Sequence, residues 1–234
     1  LDYKQLEIYL NENPNSLVSI MHANNEIGNL LDINAVGVHC KKYNAIFHSD
    51  CVQTVGHYPL DFRKIPVHFI SASGHKFHGP KGVGFLFKSE KIKIHPMIHG
   101  GAQERNLRGG TENLYGIVGL GKAIELAVDE MSERSSHISG LKSYLENGLS
   151  SIYGDQIQFN NPIGNDAYHI VNISFLSKNE KYLDGEMLLL NLDIEGICCS
   201  NGSACSSGAI EPSHVLLATG VPSNTAKSSL RLSL

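Results

Sequence analysis

The stretch Ser71-Ala72-Ser73-Gly74-His75-Lys76-Phe77-His78-Gly79-Pro80-Lys81-Gly82-Val83-Gly84 lies between two apolar runs, one over residues 68–73 and one over residues 82–87. Both runs have the length and content of buried strands, so the glycine-rich segment reads as a loop leaving a strand end. Working outward, residues 16–21 and 45–50 are two more strand-like runs. The first ends in the polar string His22-Ala23-Asn24-Asn25-Glu26-Ile27-Gly28, the second at Asp50. Between them, Asp32 is placed to cap a helix through Ala35, Val36, Val38, His39 and Cys40 that stops near Asn44. Strands alternating with helices predict an α/β sheet, and polar residues gathered at strand ends mark where such sheets bind ligands.

Beyond Asn113 the period becomes helical through Ile117, Leu120, Ala123, Ile124, Ala127, Val128 and Met131. A second helix is expected through Ile138, Leu141, Tyr144 and Leu145, with a change of domain between Ser132 and Ser136. Residues 169–175 read as a strand, 185–192 as a helix, and 197–200 as a strand entering a small-residue loop around Cys205. A helix over 214–218 and a strand at Leu230 complete a smaller α+β unit. The expected organisation is a partial large domain over residues 1–133 and a small C-terminal domain over 134–234.

Composition bounds the class. With 41% hydrophobic and 18% charged residues in a chain of 234, collagen-like and wholly disordered classes are excluded. A formal net charge of −4 provides no basic field for nucleic acid or an anionic membrane. No run approaches the ~18 apolar residues of a membrane span. The chain opens at Leu1 and stops within the strand-like Arg231-Leu232-Ser233-Leu234, so both ends read as cuts through a longer protein.

Five cysteines without Cys-x-x-Cys spacing are a poor disulfide framework and a poor zinc site, and they suit a reducing cytosol. Cys40, Cys51, Cys198 and Cys199 read as small buried apolar residues, the last two as strand core. Cys205, within Asn201-Gly202-Ser203-Ala204-Cys205-Ser206-Ser207-Gly208, reads as an accessible thiol. His95 and His99 have helical metal-ligand spacing, but Pro96 between them argues against such a helix.

The glycine-rich loop admits several chemistries. The spacing of Gly74 and Gly79 resembles a Walker A loop, but Pro80 follows where Lys-Ser/Thr is required. Ser73-x-x-Lys76 matches a serine-lysine motif whose companion motifs are absent. A third reading makes Lys76 an imine-forming lysine, with Ser73 and His75 donating to a phosphate. Against these stands a plain solvated lysine in a turn. Asp50 favours the third reading, since a carboxylate at a neighbouring strand end could pair with a protonated pyridine nitrogen. Taken alone, Asp50 reads equally well as a helix cap.

Several strings occur in order: Met-His-Ala-Asn-Asn-Glu-Ile-Gly (21–28), His-Ser-Asp-Cys-Val-Gln (48–53), Ser-Gly-His-Lys (73–76), Gly-Gly-Ala-Gln-Glu-Arg-Asn-Leu-Arg-Gly-Gly-Thr (100–111) and Gly-Ser-Ala-Cys-Ser-Ser (202–207). With the terminal Ser-Leu-Arg-Leu-Ser-Leu they resemble the cysteine desulfurases of the NifS/IscS type, class-V aminotransferase-like enzymes of fold type I. The resemblance implies a mainly parallel α/β large domain, here lacking its N-terminal part, and pyridoxal 5'-phosphate as cofactor.

It also implies roles. Lys76 would hold the cofactor as an imine and move protons at the substrate Cα. Asp50 would pair with the pyridine nitrogen, Gln53 with the phenolic oxygen, and Ser73 and His75 with the phosphate. Thr111 would reach the phosphate of a neighbouring subunit, implying a homodimer. Asn25, also near the cofactor, and Arg231 would hold the carboxylate of L-cysteine. Cys205 would take the sulfur as a persulfide and pass it to an acceptor protein, an iron–sulfur scaffold or a tRNA-thiolation relay, in the cytoplasm. A selenocysteine lyase on the same scaffold, and a catalytically impaired interaction subunit, are the alternatives; Cys205 speaks for the desulfurase because cysteine needs a nucleophilic thiol.

Overall fold

The computed structural model describes residues 1–161, 164–176, 182–201 and 211–234. These residues group into two units, Leu1–His22 with Leu31–Ser132, and Ala23–Leu30 with Glu133–Leu234. The second unit therefore takes in a short segment from the first 133 residues.

The first unit runs α1 (Tyr3–Glu12), β1 (Leu17–Met21), α2 (Ile33–Lys42), β2 (Ile46–Asp50), β3 (Phe69–Ser73), a single 3-10 turn (Gly74–Phe77), β4 (Gly84–Lys88), α3 (Gln103–Asn106) and α4 (Leu114–Asp129). Local chemistry sets these boundaries. The Asp2 carboxylate accepts from Lys4 N and Gln5 N at the start of α1. Asp32 Oδ1 accepts from Ala35 N at 3.0 Å, and Asn113 Oδ1 from Gly116 N at 3.1 Å, each satisfying a helix N–H that has no partner within the helix.

The strands lie in the order β1-β2-β3-β4. The first three are parallel and β4 is antiparallel to β3. Alternation along β2 and β3 puts Phe47, Ser49, Ile70 and Ala72 on the buried face. Phe47, Ile70 and Ala72 pack with Val36 and Cys40 of α2, Leu6 and Leu10 of α1, and Ala123 and Ala127 of α4. Each large side chain buried this way contributes roughly 1.5–3 kcal/mol. β4 can approach β3 closely because Gly84 has no Cβ; one placed there would overlap Ala72 O. The turn α3 is left-handed, with φ of 48°, 56° and 63° at Glu104, Arg105 and Asn106.

The second unit contains α5 (Met131–Tyr153), whose first two residues belong to the first unit, then β5 (Ile157–Phe159), β6 (Ile170–Phe175), α6 (Gly185–Ile194), α7 (His214–Ala218), α8 (Ser223–Lys227) and β7 (Ser229–Ser233). The three strands form an antiparallel sheet in the order β5-β6-β7. Ile157, Ile173 and Leu230 form one core cluster, and Ile27, Leu216, Val221 and Ala226 another. Lys142 of α5 is buried; its Nζ donates to Asp166, to Ala167 O at 3.0 Å and to Ile170 O at 3.1 Å.

Two expectations are corrected. Residues 197–200 do not form a strand: Gly196, at φ 76°, turns the chain after α6, and only Ser200 pairs, in one bridge with Arg231. Cys198 is consequently exposed and Cys199 half-buried, so neither is a strand-core residue. The three-residue β5 and the single-turn α8 are too short for periodicity to signal them. Among the described residues no helix is long and apolar enough to cross a membrane.

Candidate active site

In the first unit the parallel register sets Met21 beside Asp50 and Asp50 beside Ser71, while β3 runs two residues further to Ser73. The carboxyl ends of three strands are thereby brought together, the place where open α/β sheets offer polar groups to a ligand. Backbone bonds continue past the strands: His22 N donates to Asp50 O at 2.8 Å, and Cys51 N to Ser71 O at 2.9 Å.

Asp50 is exposed, and its Oδ1 accepts from Val52 N at 2.9 Å. Gln53 lies half-buried in the turn that follows. Ser73 Oγ lies 2.8 Å from His75 Nδ1, a hydroxyl and an imidazole side by side at the end of β3. Lys76 follows in the 3-10 turn, where its carbonyl accepts from His57 Nε2 at 3.0 Å. The turn closes on His78, which takes φ 65° while its N–H donates to Gly74 O. Lys76 and His75 are both exposed, so within this unit Lys76 does not have the recessed setting that the imine reading calls for.

His22, by contrast, is buried at the end of β1, and burial pushes its pKa below the ordinary value. Its Nδ1 lies 2.9 Å from Thr54 Oγ1, whose own hydroxyl donates to Cys51 O at 3.3 Å. A second polar row crosses the sheet: His48 Nδ1 is 2.7 Å from Ser19 Oγ, and His48 Nε2 is 3.2 Å from Ser71 Oγ. Sequence reasoning missed this row. The signal was present, because residues 19, 48 and 71 share the strand alternation of Met21, Asp50 and Ser73.

In the second unit Asn25 and Arg231 are brought together: Arg231 Nη1 donates to Asn25 O at 3.0 Å. Ser200 and Arg231 exchange backbone bonds of 3.1 Å and 2.6 Å. Ser200 Oγ and Asn201 Oδ1 are buried with no hydrogen-bond partner among the described residues. Thr111 is exposed in the segment before α4. Cys205 lies outside the described residues.

The donor set at the ends of β2 and β3 suits pyridoxal phosphate. It offers a primary amine for an aldehyde, a carboxylate for a pyridinium, an amide for a phenolic oxygen, and a hydroxyl–imidazole pair for a phosphate. Among the described residues there is no group of three or more His, Cys, Asp or Glu side chains able to hold a metal ion.

The family model for class-V aminotransferases matches residues 1–234. The chain belongs to that family. Class-V aminotransferases and their desulfurase relatives are pyridoxal-phosphate enzymes. Among its relatives, this class-V chain is 47% identical over 222 residues to cysteine desulfurase IscS of Dictyoglomus turgidum, with 93% of this chain and 54% of that protein covered. It is 43% identical over 234 residues to a cysteine desulfurase of Nostoc sp., with 100% of this chain and 57% of that protein covered. A solved NifS-like protein from Rickettsia africae superimposes with a TM-score of 0.88 at 37% identity, over 100% of this chain and 61% of the other. The fold class read from the sequence, α/β of fold type I, is thus borne out for this class-V member. The chain spans about half the length of the curated relatives it matches.

Proposed function

We propose that the protein works as a pyridoxal-phosphate-dependent cysteine desulfurase, converting L-cysteine to L-alanine and passing the sulfur on from Cys205. The observation that carries this reading is the placement of Asp50, Gln53, Ser73, His75 and Lys76 at the carboxyl ends of two neighbouring strands. Residues 1–133 would form part of the large cofactor-binding domain and 134–234 the small domain that carries the Cys205 segment.

When bound, pyridoxal phosphate supplies an electron sink for negative charge at the substrate Cα. The protein groups do the rest. Lys76 holds the cofactor's aldehyde and later moves the proton at Cα, and Asp50 keeps the ring nitrogen protonated. Gln53 would bond the phenolic oxygen, with Asn25 near the cofactor, while Ser73 and His75 would hold the phosphate. Thr111 reaches the phosphate of a second copy in a homodimer. Arg231 and Asn25 bind the substrate carboxylate, for which a guanidinium offers a paired donor geometry.

Cys205, as thiolate, attacks the sulfur of the bound L-cysteine. The substrate's C–S bond breaks, an S–S bond forms on Cys205, and the carbon fragment takes up protons to leave as L-alanine. The persulfide then moves to an acceptor protein, an iron–sulfur scaffold or a tRNA-thiolation relay, in the cytoplasm. The names of the relatives and the in-order motifs support the substrate; the small, polar residues on either side of Cys205 in the sequence support a sulfur carrier that serves two places.

The test is L-alanine formation from L-cysteine by the full chain with added pyridoxal phosphate. Formation that Lys76→Ala abolishes supports the reading, and no alanine from the wild type overturns it. Cys205→Ser that cleaves selenocysteine but not cysteine fits the desulfurase. Equal cleavage of cysteine with and without Cys205 removes the persulfide route.

A further inference from the structure

The segment holding Asn25 is fixed far more firmly than a surface turn requires. Within the second unit, Glu26 is only 3% exposed and has every polar end occupied. Its N–H donates to Asn24 Oδ1 at 2.9 Å, its carbonyl accepts from Asn172 Nδ2 at 3.1 Å, and its carboxylate accepts from Ser213 Oγ at 2.5 Å. Ser213 Oγ also accepts from Leu216 N at 3.2 Å, so this one hydroxyl caps α7 and anchors Glu26. Asn172 is fully buried, and its Oδ1 accepts from Asn160 Nδ2 at 2.7 Å.

The bonds at the Glu26 N–H and carbonyl hold the peptide planes on either side of it, and the bond from Ser213 anchors its side chain. One of those planes carries Asn25 O, the acceptor of Arg231 Nη1. Asn172 is also the register partner of Arg231 on the neighbouring strand. The guanidinium is therefore held from two directions: along its own strand pair, and through the Asn25 carbonyl, whose peptide plane is fixed by Glu26 N–H on Asn24 Oδ1 and whose following residue is anchored by Ser213 and Asn172. An arginine presents its five N–H donors in one plane, so the bond from Nη1 to Asn25 O bears on how that plane is set.

We propose that Ser213, acting through Glu26, is a positioning residue that aims Arg231 at the carboxylate of the amino-acid substrate. The proposal rests on the assignment of Arg231 to that carboxylate. Ser213 touches no substrate. Its role is to keep the acceptor of Arg231 in one orientation, and misplacement of a binding group costs affinity even when every contact residue is present.

The experiment compares two ligands of the cofactor-loaded full chain through the change in its visible absorbance: L-alanine, and ethylamine, which has the amine but no carboxylate. Ser213→Ala is expected to weaken L-alanine about tenfold and leave ethylamine unchanged. Ser213→Thr, which keeps the hydroxyl, should restore the affinity. Ser213→Cys, close in size with a weak donor, replaces the alanine variant if that one does not fold, and should shift L-alanine in the same direction. In a double variant with Arg231→Ala, the Ser213 change should add nothing. Equal weakening of both ligands, or a lower melting temperature with L-alanine affinity intact, overturns the positioning role while leaving Arg231 in place. Arg231→Ala that keeps the full preference for L-alanine over ethylamine overturns both the proposal and the assignment beneath it.

Discussion

His22 Nδ1 lies in hydrogen-bond contact with Thr54 Oγ1 at 2.9 Å, joining the end of β1 to the turn that follows Asp50. Burial holds the imidazole below its ordinary pKa of 6.5, so folding favours the neutral ring. The sign follows. This stability is present above the unfolded pKa and is lost as pH falls through the lowered folded value. His68, also lowered by burial, acts in the same direction. The melting temperature should therefore drop between about pH 7.5 and about pH 5.5. His22→Asn, which can still hydrogen-bond to Thr54, should drop less over that interval. An unchanged slope would remove His22 as a source of the acid sensitivity.

Lys142 is a buried lysine of the second unit, donating to Asp166 and to two carbonyls. Lys142→Met removes the donor and leaves Asp166, Ala167 O and Ile170 O without it. Breaking one side of a buried pair costs about 3 kcal/mol or more. Urea denaturation of the full chain should show that loss. A change under about 1 kcal/mol would mean the pair behaves as a surface contact.

Gly185 opens α6, and a Cβ there would overlap Lys227 O at the end of α8. Helix propensity alone would make Gly185→Ala stabilising by about 1 kcal/mol. The overlap is with backbone, which cannot rotate aside, so a net loss of about 1–3 kcal/mol is expected. Thermal melting decides the sign, and a gain in stability contradicts the packing.

Lys76 should give the protein a visible absorbance band on titration with pyridoxal phosphate, and Lys76→Ala should lack it. Lys81, nearby in the same loop, is the control: Lys81→Ala should keep the band. A band that survives loss of Lys76 places the linkage on another amine.

How much of this was legible in the sequence depends on how local each cause is. Asp32 caps its helix as its position suggests, because capping involves only residues two or three apart. The runs around residues 17–21, 46–50 and 69–73 appear as strands because a buried face imposes its own alternation. Lys142 was invisible: a lysine in a helix reads as solvated, and its partners lie 24 to 28 residues away. The same holds for Glu26, tied to Asn172 and Ser213 across 146 and 187 residues. Cys198 and Cys199 failed for the opposite reason, since apolar alternation was read without weighing Gly196, which turns the chain before pairing can begin.

The central claim is that Cys205 receives sulfur from L-cysteine. Its most direct test is the intact mass of the pyridoxal-phosphate-loaded full chain after brief exposure to one equivalent of L-cysteine, with the modified residue located by peptide mapping. The account predicts one added sulfur atom on Cys205, L-alanine in equal amount, and reversal by a thiol reductant. In Cys205→Ser the added sulfur should vanish and L-alanine formation should fall on the order of 10³-fold. Added sulfur on Cys198 or Cys199 instead, or L-alanine formed at the wild-type rate without Cys205, would contradict it.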